Sequence, residues 1–185
     1  MIWVFVINKD MANSDYIQGV MDAAKGKPYS TDWYRQKIKE FGQPGRLDLI
    51  RDGKQNASPF GGALNMFVYG PKHKKKLPYY DTFPLVLPIE NYSDGFLGLN
   101  FHYLPIPLRM KLLDKMLDSD LRTSYNAIKG VKLVRPTIHR YLAGYTKSQF
   151  RKIEEDELVV ATLLPVHNFK KSSAKAVWAD SRKMI

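Results

Sequence analysis

The sequence contains no cysteine among its 185 residues. This absence excludes disulfide bonds and thiolate metal ligands, and it fits a protein made in a reducing cytosol. No apolar run approaches the roughly 18 residues that a membrane-spanning helix needs. The opening MIWVFVINKD also lacks the basic region and the small-residue cleavage site of a secretion signal. We therefore expect a chain that folds without disulfides and outside a membrane.

Motifs of known chemistry are also missing. The sequence has no G-x-G-x-x-G, no G-x-x-x-x-G-K-[ST] and no G-x-S-x-G, so the loops that cradle phosphates and the nucleophile elbow are absent. The histidines, at positions 73, 102, 139 and 167, show no metal-ligand spacing such as H-x-x-x-H. From the residues we predict no enzyme activity, no metal site and no cofactor.

One cluster leaves an alternative to that prediction. Tyr79, Tyr80 and Asp81 could form an acid–base group with His102, because a carboxylate can orient a histidine and a tyrosine can donate a proton. The favoured interpretation is that the two tyrosines alternate across a sheet, one packing inward and one exposed.

The sequence is rich in positive charge. It has 29 Lys and Arg against 18 Asp and Glu, which gives a formal net charge of +11. Residues 111–185 hold 15 basic and 8 acidic side chains, so +7 of this excess lies in the C-terminal part. Such a balance favours an anionic partner, which could be nucleic acid, a phospholipid surface or an acidic protein face.

The apolar pattern predicts an α+β fold. Alternation in Ala63–Gly70 indicates a strand, and residues 81–92 and 93–104 indicate two more, joined by a turn at Asp94–Gly95. Prolines in the second strand point to an edge or a bulge. We predict a small curled antiparallel sheet or a partly open SH3-like β barrel. A helix at about 107–119, with leucines at helical spacing, would cap it.

The same pattern predicts three regions. Residues 1–60 form an N-terminal arm with one helix, at about 31–41; residues 61–125 form the central β domain with its capping helix; residues 126–185 form a basic C-terminal region. In the last region we predict a charged helix over 146–157. Residues 158–165 have the composition of a strand, but a helix that ends before Pro165 is favoured. Both terminal regions are expected to be extended, helical or irregular arms.

Two basic stretches are candidates for binding an anionic partner. The loop PKHKKKLP contributes four residues, Lys72, Lys74, Lys75 and Lys76. The stretch 131–152, which has no acidic residue, contributes six, Lys132, Arg135, Arg140, Lys147, Arg151 and Lys152. The loop suits phosphate contacts, although a solvated hairpin tip or a protein contact is favoured. The second stretch suits DNA and an acidic neighbouring subunit equally.

Three segments resemble a known family. The central MFVYGPKHKKKLPYYDTFPLVLPIENYSDGFLGLNFHYLP, the upstream STDWYRQK and the terminal AVWADSRK are similar to small virion-associated proteins of contractile-tailed bacteriophages. The resemblance implies that YYDTFPL and GFLGLNFHYL form the shared fold core, with Gly70 as a local departure from the family pattern. It assigns no catalytic residue.

The function expected from this resemblance is structural. The chain would be a component of the virion, at the baseplate, tail or neck, assembled in the host cytoplasm and bound to neighbouring subunits. Trp3, Trp33 and Trp178 would be the apolar anchors for those subunits, although Trp33 and Trp178 could instead pack on their own domain. The alternative is a nucleic-acid-binding accessory protein that uses the 72–76 loop and the 131–152 face.

Overall fold

The computed structural model describes residues 54–185, and they form a six-stranded sheet with a separate two-stranded one. The strands are β1 (Gln55–Asn56), β2 (Asn65–Met66), β3 (Tyr80–Asp81), β4 (Leu85–Tyr92), β5 (Gly95–Asn100), β6 (Ile138–Leu142), β7 (Phe150–Lys152) and β8 (Phe169–Lys170). The large sheet has the order β1-β7-β2-β4-β5-β6, and β3 pairs with β8. Every paired neighbour is antiparallel. The predicted α+β class with an antiparallel sheet is confirmed, and the sheet is not closed into a barrel.

Four α-helices complete the described part: α1 (Ile106–Leu117), α2 (Tyr125–Ile128), α3 (Leu158–Leu163) and α4 (Ala174–Met184). Helix α1 is the capping helix predicted at about 107–119, with Pro105 at its N-cap and a second proline in its first turn. Helix α3 ends before Pro165, as predicted. The predicted helix over 146–157 is wrong, because β7 inserts between β1 and β2 and buries Phe150.

The β4–β5 hairpin is the longest pairing in the sheet, and both of its sequence signals act as predicted. The ladder shifts register between Pro88 and Glu90, which is the bulge expected of a proline inside a strand. Gly95 begins β5 directly after the turn. A β-carbon at Gly95 would lie 1.9 Å from the backbone oxygen of Tyr141 on β6, so only glycine lets these two strands approach.

The two faces of the large sheet bury different side chains. On one face, aliphatic residues such as Leu85, Leu87 and Leu99 pack against α1 and α3. On the other face lies an aromatic cluster formed by Phe67, Tyr69, Phe96, Tyr141 and Phe150 around Val86. The ring centroid of Phe67 lies 4.6–6.1 Å from those of the other four rings, mostly edge to face. Both faces therefore hold the sheet together.

Residues 126–185, predicted as a basic C-terminal region, contribute strands β6 and β7 to the same sheet as the central residues. They also contribute the fully buried helix α3 and the buried Val177 of α4. The three-region division stays a prediction. The predicted arm over 1–60 falls almost wholly outside the described residues, as do its helix and the two tryptophans at positions 3 and 33. Within residues 54–185, no helix has the length and apolar character to cross a membrane.

Candidate nucleic-acid interface

The lysine loop, residues 72–76, leads into β3 and is fixed by hydrogen bonds. The backbone N–H groups of Lys76 and Leu77 donate to the carbonyl of His73 at 2.8 and 3.2 Å. Directly after β8, the Nζ of Lys171 donates to the carbonyls of Lys75 and Leu77, both at 2.9 Å. All five residues of the loop are exposed. The loop therefore holds a defined turn while its own ammonium groups face solvent.

Three further lysines lie beside this loop. Pairing of β3 with β8 places Lys170 opposite Tyr80, next to Lys171. The Cε atom of Lys147 lies 3.7 Å from the position of a β-carbon on Gly70, two residues before the loop. We name the exposed set the lysine surface; it consists of Lys72, Lys74, Lys75, Lys76, Lys147, Lys170 and Lys171.

The lysine surface carries uncompensated positive charge. The salt bridges of the described side chains involve other cations, and none of the seven lysines lies within 4.0 Å of a described carboxylate oxygen. Seven like charges on one surface repel each other, and a phosphate backbone would relieve that repulsion. The predicted loop cations are thus brought together with Lys147 from the second stretch.

The rest of the 131–152 stretch is divided between exposed and internal roles. Lys132 and Arg135 are exposed on a 3₁₀ turn, Lys132–Thr137, and have no carboxylate partner among the described side chains. Arg140 is exposed but pairs with Asp94, and its guanidinium carbon lies 3.7 Å from the centre of the Tyr92 ring.

The last two cations of that stretch are directed at carboxylates of the same chain. Arg151 is 4% exposed, and its Nη2 lies 3.6 Å from Glu157. The Nζ of Lys152 lies 2.5 Å from Glu154. The six cations therefore do not form one uniform basic face, and the available charge gathers at Lys132, Arg135 and Lys147.

A pocket of about 420 Å³ opens beside the lysine loop. Pro71, Leu77 and Pro78, which flank the loop on both sides, all belong to its wall. We name it the tyrosine pocket, because its lining includes Tyr69, Tyr79, Tyr80, Tyr103 and Tyr141, together with Asp81, Asn100, His139, Arg135, Arg140 and Met184. Arg135, Arg140 and Met184 are exposed, whereas Asp81, Asn100 and three of the tyrosines are buried.

Behind the wall of this pocket, the lining residue Asp81 contacts His102, as the sequence alternative suggested. His102 Nδ1 lies 2.7 Å from Asp81 Oδ2, and both side chains are almost fully buried. Asp81 also accepts hydrogen bonds from the backbone N–H groups of Phe83 and Asn168, both at 3.0 Å. Burial alone would raise the pKa of Asp81, but the His102 charge and these hydrogen bonds lower it overall. The carboxylate is therefore an ionised hydrogen-bond acceptor that orients its neighbours.

A second internal group joins helix α4 to this network. Arg109 of α1 is fully buried, and its Nε donates to the Leu104 carbonyl at 2.7 Å. Its guanidinium carbon lies 5.5 Å from the ring centre of Trp178, whose Nε1 donates to the His102 carbonyl at 2.9 Å. Burial lowers the pKa of Arg109 to about 9. Trp178 thus packs on its own domain, as one of the two stated alternatives had it.

His139 supplies the pocket with a neutral imidazole. Burial lowers its pKa to about 4, although a hydrogen bond to the carbonyl of Pro136 raises it slightly. Its Nε2 is buried and has no hydrogen-bond partner in residues 54–185, so Nδ1 is the nitrogen that donates to Pro136. The ring centroid lies 4.0 Å from that of Tyr103. At neutral pH the imidazole therefore behaves as an aromatic wall without charge.

This burial predicts a pH dependence of stability. An unfolded histidine titrates near pH 6.5, so between pH 6.5 and about 4 the unfolded chain binds a proton that the folded chain does not. The free energy of unfolding should fall as the pH drops through this window, by at most about 3 kcal/mol. Urea denaturation at pH 4.5, 5.5, 6.5 and 7.5 measures the slope.

Replacing the ring separates this effect from other titrations. His139→Asn keeps an amide N–H near the position of Nδ1 and should flatten the slope, whereas His73→Asn in the exposed loop should leave it unchanged. An unaltered slope in His139→Asn would assign the pH dependence to other groups.

Sequence reasoning missed three of these residues. Lys170 and Lys171 form a basic pair in the predicted C-terminal tail, but only the β3–β8 pairing brings them to the loop. Arg109 lies in the apolar stripe of α1, where a lone charge in a buried position was the available signal. No three His, Asp or Glu side chains of the described residues converge as metal ligands.

The chain matches a known protein family. The sequence model of the family described as "Phage T4 terminal DNA protecting protein" matches residues 5–181, which is nearly the whole chain. No curated protein matches and no solved structure matches. The resemblance to phage proteins is thereby supported at the level of a T4-type phage family, without support for a virion structural protein.

The match corrects the main expectation about function. A structural component of baseplate, tail or neck was predicted, but the family is described by the protection of terminal DNA, which is not a tail or baseplate role. The error came from the resemblance and from assigning the basic surface to neighbouring subunits. The alternative, a nucleic-acid-binding accessory protein, fits the family better.

Proposed function

We propose that this chain, which belongs to the family of phage T4 terminal DNA protecting proteins, binds the ends of linear phage DNA and shields them. The observation that carries the proposal is the lysine surface, with seven exposed lysines and no carboxylate partner among the side chains that the structure describes. The proposed location is the virion, at the DNA terminus. The proposed action is binding, without catalysis.

The chemistry of the surface suits a DNA end of any sequence. Lysine ammonium groups contact phosphate oxygens without reading bases, and binding gains free energy from the counterions that they release. A protein that protects a terminus must accept whatever sequence lies there. A fixed loop supports this role because its backbone needs little ordering when DNA binds.

A protection assay tests the proposal. The full chain is mixed with a blunt linear duplex, and digestion by an exonuclease that starts at duplex ends is followed over time. We expect protein-dependent survival of the linear DNA that weakens as salt rises, because phosphate contacts are screened. As a control, an endonuclease should still cut the interior of a long duplex at low ratios of protein to DNA. Equal digestion with and without the protein, at salt well below physiological, would contradict the proposal.

A further inference from the structure

We infer that the tyrosine pocket receives the terminal nucleotide of one DNA strand, with its base among the tyrosines and its phosphates on the lysine surface. This inference rests on the proposed function and names the part of the DNA that the protein recognises. A terminal base has one face that no neighbouring base covers, which distinguishes an end from the interior of a duplex.

The pocket has a size and lining that suit a base. Its volume of about 420 Å³ falls in the range of about 300–1,000 Å³ of small-ligand sites. Five tyrosines line it, and two of them, Tyr79 and Tyr80, are only half-buried. Aromatic side chains stack on any base, because every base has a π face. Sequence-tolerant recognition of a terminus requires this property.

The distribution of charge separates base from phosphate. Inside the pocket lie the ionised Asp81 and the neutral His139, so the interior repels a phosphate or leaves it unpaired. At the exposed edge of the lining lie Arg135 and Arg140, and the lysine loop follows directly after the wall residue Pro71. An uncharged base would therefore enter, and the backbone that follows it would remain at the cationic rim.

The polypeptide chain connects the tyrosine pocket directly to the lysine loop. The residues before and after the lysine loop, Pro71 and Leu77, are themselves pocket wall. The hydrogen bonds from Lys171 to the Lys75 and Leu77 carbonyls fix the loop against that wall. The distance from stacked base to phosphate contacts is thus preset by the fold, which favours one bound geometry.

The preference of the protein for duplexes with open ends tests the inference. Competition binding compares a linear duplex with the same duplex closed at both ends by covalent hairpin loops. Wild-type protein should prefer the linear form. Tyr79→Ala and Tyr80→Ala should each reduce that preference about tenfold or more, since a lost aromatic stack weakens base binding by about this factor, and should bind the closed duplex as wild type does. Tyr79→Phe, which keeps the ring, and Tyr125→Ala, on exposed α2 outside the pocket, should retain the preference.

Photocrosslinking of the wild-type chain avoids any effect of substitution on folding. A duplex with 5-iodouracil at its terminal position should crosslink to pocket residues, and one with 5-iodouracil at an internal position should not. Terminal crosslinks located elsewhere, together with unchanged preference in both alanine variants, would overturn the pocket while leaving end binding intact. Failure to bind either duplex would overturn the proposed function and this inference with it.

Discussion

Replacing Lys74, Lys75 and Lys76 together by alanine should weaken DNA binding by about a hundredfold near 0.1 M salt. Each phosphate contact steepens the dependence of the logarithm of the binding constant on the logarithm of salt concentration by about 0.9. Three lost contacts should therefore reduce that slope by up to about 2.7, and the difference from wild type should shrink toward 1 M salt. Fluorescence anisotropy with a labelled duplex at four salt concentrations measures both quantities.

A second triple variant controls for the loss of charge alone. Lys111, Lys115 and Lys129 are exposed lysines outside the lysine surface, and their replacement by alanine also removes three positive charges. Long-range attraction contributes to both variants, but it is screened beyond about 10 Å at 0.1 M salt. The control should lose less than a few-fold. Equal loss in the two variants would show that net charge, and not the loop, holds the DNA.

The parts of the fold that the sequence predicted are those built from neighbouring residues. The β4–β5 hairpin carries its own turn and its own bulge signal, and α1 carries a proline start and leucines at helical spacing. Each signal acts over a few residues, where backbone preference and apolar periodicity are strong. Such elements can be placed without knowing what they pack against.

The parts that it did not predict depend on distant pairing. Strand β7 is three residues long and lies in a charged stretch, so its strand conformation comes from β1 and β2 on either side. Strands β3 and β8 are each two residues long and are about 90 residues apart in the chain. Nothing local marks such short strands, because tertiary contacts override weak local preference.

The residues of the candidate site also divide into those that local sequence predicts and those that only the fold brings together. The loop lysines were predicted as a group because they are adjacent in the sequence. Lys147, Lys170 and Lys171 join them only through the fold, and Arg151 leaves the predicted face because its side chain is buried near Glu157. A count of charges along the chain cannot tell an exposed cation from one with an internal partner.

Replacing Asp81 by alanine should lower the free energy of unfolding by about 3–5 kcal/mol, more than any other substitution proposed for this chain. Its carboxylate accepts from the Phe83 and Asn168 N–H groups, from His102 and, at 3.4 Å, from Asn100. Removing it leaves these donors without their acceptor in the core, and breaking a buried pair costs about this much. Urea denaturation should show a lower midpoint at an unchanged m-value.

Two further variants separate the charge of Asp81 from its position. Asp81→Asn keeps the shape and one acceptor oxygen, so its loss should be smaller. Because the folded-state pKa of Asp81 is lowered, its contribution is present above the unfolded pKa of 3.8 and is lost as the pH falls through the folded value. Asp81→Asn should remove this acid-dependent loss. Asp114→Asn, at an exposed position of α1, should change stability by less than about 0.5 kcal/mol.

The same carboxylate connects stability to the proposed DNA site. Asp81 belongs to β3 and binds the backbone of Asn168, directly before β8, so it helps to hold Lys170 and Lys171 beside the lysine loop. Asp81→Asn, at temperatures where it stays folded, should therefore weaken DNA binding. This loss is expected although the substitution removes a negative charge that repels DNA. Tighter binding in this variant would show that removal of the charge outweighs the loss of the β3–β8 connection.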